Sequence, residues 1–88
     1  MSEYQVELDH DAELYLVEAN LEWPGTYDIF VEGSGRECFE VTEEPTFGEW
    51  IVSRYDEDIE LRNLKSWDVE ITKKAEKIMR EIYWNTIA

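Results

Sequence analysis

The chain has 88 residues, room for one domain with one modest core, and a chain this short buries too little of its surface to favour a deep substrate cavity. Apolar residues make up 43% and aromatics 14%, with tryptophan at positions 23, 50, 67 and 84, which excludes a disordered acidic tail. Twenty-two acidic residues against eight basic ones give a net charge of −14, so the folded chain carries strong self-repulsion and is unsuited to gripping phosphates directly.

In chain order, Tyr4, Val6 and Leu8 alternate with Glu3, Gln5 and Glu7, the period of a half-buried strand. Asp9-His10-Asp11 breaks it and reads as a solvated turn. Tyr15, Val17, Ala19, Leu21 and Trp23 then form one apolar side of a second strand against Glu18, Asn20 and Glu22, with Leu14 and Leu16 blurring its start. Pro24-Gly25 ends that strand, because proline fixes φ and glycine tolerates positive φ. Tyr27, Ile29 and Val31, the Gly33-Ser34-Gly35 connection, and Phe39 and Val41 spell out a hairpin. Glu43-Glu44-Pro45 predicts a loop, Phe47 to Tyr55 a further strand, and Asp56-Glu57-Asp58 an acidic turn before Ile59 and Leu61.

From Ile71 the period changes. Ile71, Ala75, Ile78, Met79 and Ile82 make one stripe of a helix predicted over about 69–85, with the Asp68 carboxylate placed to cap its first amides. Strands followed by a helix with one apolar stripe predict an α+β domain over 1–88: an antiparallel sheet of four to five strands with the C-terminal helix packed on one face. No apolar run approaches the roughly 18 residues that cross a bilayer, and Met1 to Asp11 lacks a leader pattern, so the expectation is a cytoplasmic protein without membrane contact. Cys38 is the lone cysteine, which leaves no internal disulfide, and its neighbours Glu37 and Glu40 make it a poor nucleophile.

The charge is unevenly placed. Residues 1–60 hold 18 acids and two bases, Arg36 and Arg54, for a net of −16, whereas residues 61–88 hold four acids and six bases, for +2. Residues two apart on an extended strand lie about 7 Å from one another on one side. Glu3, Glu7, Asp9, Asp11 and Glu13 would therefore line up as a row of carboxylates if the segment stayed extended. Such a row imitates a nucleic-acid backbone and suits the basic groove of a nucleic-acid-binding protein; the alternative is a solvated face whose acidity serves solubility. The candidate contact residues are Glu7, Asp9, Asp11, Glu13, Glu18, Glu22, Asp28, Glu32, Glu40, Glu43 and Glu44, with Phe30 and Trp50 as apolar anchors. Tyr83 and Trp84 near the helix end mark the second reading, a homo-oligomeric structural or assembly protein.

Catalytic and metal constellations are incomplete. His10 stands between two carboxylates without a second histidine or a nucleophile motif. Asp56, Asp58 and Glu60 have the opening spacing of a calcium loop, but Leu61 stands where such a loop needs glycine and its closing glutamate is missing. No phosphate-binding fingerprint occurs, so no cofactor and no enzymatic activity are expected.

Glu49-Trp50-Ile51-Val52, Asp56 to Leu61 and Asp68-Val69-Glu70-Ile71 with the Lys/Glu-rich helix, together with Trp23-Pro24-Gly25, resemble small acidic proteins encoded by tailed bacteriophages. The likeness covers roughly the last two thirds of the chain and is compositional, so it carries over no functional residue. It implies a host-cell setting and an inhibitor of the anti-restriction or anti-CRISPR kind that mimics DNA. The six bases of the last third depart from a uniformly acidic mimic and favour a one-sided acidic face.

Overall fold

A computed structural model describes residues 3–56 and 60–87. It shows an α+β fold with β1 (Glu3–His10), β2 (Glu13–Trp23), β3 (Thr26–Val31), β4 (Glu37–Glu43), β5 (Thr46–Asp56), β6 (Glu60–Asn63) and α1 (Val69–Ile87). The predicted acidic turn falls in part on 57–59, outside the described residues. The expected antiparallel sheet is present with four strands in the order β1-β2-β5-β6, and the β3-β4 hairpin forms a second, two-stranded sheet beside it.

The division has a local cause. Trp23 pairs with Thr46 at the end of the β2-β5 ladder, and Thr26 pairs with Glu43 at the start of the β3-β4 ladder. The two ladders are therefore successive parts of one long ribbon, interrupted between those pairs by Pro24 and Gly25 on one side and Glu44 and Pro45 on the other. Neither proline has an N–H to donate, so the ribbon loses ladder bonds on both strands at one level. Gly25 adopts φ +72°, and a Cβ there would stand 2.5 Å from the Glu43 carbonyl oxygen and 2.8 Å from the Pro45 nitrogen. Only glycine admits so close a crossing. The distal hairpin leaves the main sheet, and the molecule measures 55 × 23 × 19 Å.

The helix begins where Asp68 Oδ1 accepts the Glu70 N–H at 3.0 Å, the expected cap. Its Ile71, Ala75 and Met79 side chains are buried against Val6, Leu8, Val17, Ala19, Phe47 and Val52 from one face of the main sheet. This matches the predicted stripe except at Ile82, which lies exposed beyond the sheet. Farther along, Arg80 donates to the Pro45 carbonyl at 3.2 Å, and Trp84 Nε1 donates to the Glu44 carboxylate at 3.1 Å. The helix thus holds the interrupted level of the ribbon as well as the sheet. No described helix is long and apolar enough to cross a membrane.

Candidate functional site: the sheet face opposite the helix

Strand alternation sends Val6 and Leu8 of β1 and Val17 and Ala19 of β2 toward the helix, which leaves Glu3, Glu7, Asp9, Leu14, Leu16, Glu18 and Glu22 on the opposite face. The β2-β5 register places Ser53 beside Leu16 and Ile51 beside Glu18, and β5-β6 pairing puts Leu61 beside Tyr55 on that same face. Leu14 and Leu16, which blur the sequence pattern of β2, are thereby explained: they belong to a second apolar spot. Leu16 and Ser53 are buried, while Leu14, Ile51 and Leu61 remain 38%, 47% and 44% exposed. The face has an apolar strip that runs from β2 across β5 to Leu61 on the edge strand β6, with carboxylates along its β1 side and at Glu18 and Glu22, an apolar contact patch with a polar rim on those sides.

Two polar contacts fix the border. Tyr55 donates its hydroxyl to Glu7 at 3.2 Å, and its pKa is raised by partial burial and by that neighbouring carboxylate. Asn20 donates to Glu49 at 2.6 Å. Glu49 has φ +54° next to a break in the β2-β5 register, so a bulge turns its carboxylate to this face. Gly48 sits beside it because a Cβ there would overlap the Glu22 carboxylate. Glu49 is absent from the candidates derived from sequence; a glycine within a strand pattern was the available signal.

Ion pairing separates the acids into two groups. On the helix side and at the sheet end, Glu13 and Asp56 meet Arg54 at 3.6 and 3.2 Å, Asp56 meets Arg62 at 3.1 Å, and Glu76 meets Arg80 at 3.2 Å. Among the described residues, no ion pair involves Glu3, Glu7, Asp9, Glu18, Glu22 or Glu49, nor Asp28, Glu32, Glu37, Glu40 or Glu43 of the hairpin.

The sequence-derived candidates are thus distributed over several places. Glu7, Asp9, Glu18 and Glu22 share the outer face of the main sheet. Asp28, Phe30, Glu32 and Glu40 share one face of the distal hairpin, where Phe30 is exposed. Glu43 lies at the hairpin base. The row expected from Glu3 to Glu13 does not continue past Asp9, because Asp11 and Ala12 take φ +50° and +64° and reverse the chain. Asp11 is in that turn, and Glu13 faces Arg54 and accepts from Tyr15 at 3.0 Å. Glu44 is held by Trp84 on the helix side, and Trp50 packs against the core as a half-buried residue, so neither reaches the outer face as a docking group.

His10 departs from the solvated turn expected of it. Its side chain is 11% exposed, with Nε2 3.3 Å from Asp68 and 3.5 Å from Asp11, and with Lys74 Nζ 3.0 Å from Nδ1. It fastens the β1-β2 turn to the helix cap. Hydrogen bonding from the Glu70 amide, then from His10, lowers the Asp68 pKa. His10, Asp11 and Asp68 offer ligand atoms within 4.8 Å of one another, but the adjoining Lys74 ammonium opposes a cation there. Tyr83 and Trp84 are half-buried, and Trp84 packs on Tyr27 and Phe39 at centroid distances of 5.9 and 6.2 Å.

No protein-family model matches the chain, and neither the curated proteins nor the solved structures contain a match.

Proposed function

We propose that the chain is a non-catalytic binding protein whose outer sheet face docks on the basic, nucleic-acid-binding surface of another protein and inhibits it by occupying that surface. The observation that carries this reading is the separation of the acids. Glu13, Glu44, Asp56, Glu70 and Glu76, on the helix side and at the sheet end, each meet an Arg or Lys, whereas among the described residues no ion pair involves Glu3, Glu7, Asp9, Glu18 or Glu22, which share a face with Leu14, Ile51 and Leu61. Acidity serving solubility alone has no need of an apolar strip beside the carboxylates. Complementary charge would speed encounter, and the apolar strip would retain the partner. The resemblance to acidic phage proteins agrees with an inhibitory role inside a host cell.

The test is capture of basic proteins from a bacterial lysate on the immobilised chain, at low and high salt and with duplex DNA as competitor. Captured nucleic-acid-binding proteins should be released by salt and displaced by DNA. Retention that ignores both would overturn the proposal. Replacing Glu7, Asp9 and Glu18 with Gln should weaken capture without unfolding the chain, since Glu7 and Asp9 are exposed and Glu18 is only half-buried.

A further inference from the structure

The distal hairpin is a second surface with different chemistry. A two-stranded sheet is marginal by itself in water. Among the described residues, β3 and β4 pair only with each other, so each keeps an unpaired edge. One hairpin face presents Tyr27, Ile29 and Val31 beside Phe39 and Val41. Trp84 of the helix packs on Tyr27 and Phe39, which remain 40% exposed, while Ile29 and Val31 are 65% and 64% exposed. Tyr27, Ile29, Phe39 and Ile87 border a shallow cavity of about 190 Å³ beside this strip. The opposite hairpin face carries Asp28, Glu32 and Glu40 around Phe30.

An unpaired edge flanked by an apolar face and an acidic face prescribes what can add to it. A new strand beside β3 would place alternate side chains over Ile29 and Val31 and the intervening ones over Asp28 and Glu32. We infer that the β3 edge binds an extended segment of a basic protein in which apolar and Lys or Arg residues alternate. Charge selects this occupant over a second copy of the chain. Residues 26–43 hold Asp28, Glu32, Glu37, Glu40 and Glu43 against Arg36 alone, so two hairpins would bring like charges together. The inference rests on the basic partner proposed above and adds a second point of attachment for it.

The probe is a synthetic peptide of alternating lysine and valine, titrated into the isotopically labelled chain and followed by backbone amide shifts. A peptide of alternating glutamate and valine serves as control. Shifts should concentrate on residues 26–31 and near Ile87, with the control inert. Ile29→Asp should weaken binding at least tenfold while leaving the main-sheet spectrum intact, since Ile29 is largely in solvent. Equal binding of both peptides would overturn the inference. So would shifts confined to Glu3, Glu7, Asp9 and Glu18, or shifts of 26–31 that depend on protein concentration without peptide, which would make a second copy the occupant. None of these outcomes alters whether the chain is captured in a salt-sensitive, DNA-displaceable way, so the two proposals fail separately.

Discussion

Trp84→Ala should release the distal hairpin while leaving the main sheet folded. Trp84 meets Tyr27 edge-on at 5.9 Å and 83° and Phe39 at 6.2 Å and 45°, and it donates to Glu44 at 3.1 Å. Each aromatic pair contributes about 0.5–1.5 kcal/mol beyond area burial, and the hydrogen bond about 1 kcal/mol. With exposure allowed for, the truncation costs about 2 kcal/mol, most of it in contacts of the helix end with the hairpin and its base, the remaining aromatic contact being with Tyr83 of the helix itself. Amide hydrogen exchange resolves where that loss falls. About 2 kcal/mol corresponds to roughly thirtyfold faster exchange for the β3 and β4 amides, with a much smaller change in β2 and β5. Met79→Ala is the contrasting variant, because Met79 is fully buried in the main core and its truncation costs about 2–5 kcal/mol throughout. Equal acceleration of hairpin and sheet amides in Trp84→Ala would refute the separation of the ribbon at its prolines.

Three further outcomes follow from local geometry. Ala12→Gly should stabilise the chain by about 1 kcal/mol, read as a rise of several degrees in Tm, because Ala12 holds φ +64° in the β1-β2 turn and glycine removes the Cβ penalty. Asp68 has a lowered pKa in the fold, so its contribution is complete above the ordinary carboxylate value and lost as pH falls through the folded one. Asp68→Asn keeps a capping oxygen but cannot titrate, and its denaturation midpoint should fall less steeply than the parent's below about pH 4. Cys38 has a raised pKa, first because its thiol donates to Glu32 at 3.1 Å and then through desolvation, so Glu32→Gln should move the pH profile of iodoacetamide alkylation to lower pH.

Elements with a strong local period were legible from sequence. The helix stripe through Ile71, Ala75 and Met79 and its Asp68 cap are encoded within one stretch of chain, as is the alternation of β1. What was not legible depended on pairing between distant segments. Pro24-Gly25 and Pro45 each read as an ordinary turn or loop, and only the register shows that they interrupt one ribbon at the same level. Leu14 and Leu16 looked like noise because the face they share with Ile51 and Leu61 is assembled from three strands. His10 looked solvated because its partners Asp68 and Lys74 stand about sixty residues away in sequence. Trp50 is an apolar anchor by sequence, but alternation in β5 gives it to the side that packs on the core.

The interrupted ribbon also changes how the acidity works. On one continuous sheet, the carboxylates of β1-β2 and of β3-β4 would form a single charged surface, and salt would weaken every contact together. Separation at Pro24 and Pro45 instead joins a face with an acidic border to an arm with an unpaired edge. If the proposed partner engages both, long-range charge on the first would govern encounter, while backbone pairing and apolar contact on the second would be the part of the attachment that salt weakens least. A partner held by both would associate at a salt-dependent rate and dissociate at a rate set by the apolar contacts of both surfaces, Leu14, Ile51 and Leu61 on the sheet and Ile29 and Val31 on the arm. Helix contacts through Arg80 and Trp84 already hold the base of the arm, which would reduce the ordering entropy that such binding must overcome. The helix then supports both surfaces from the one side of the molecule where acids and bases are balanced.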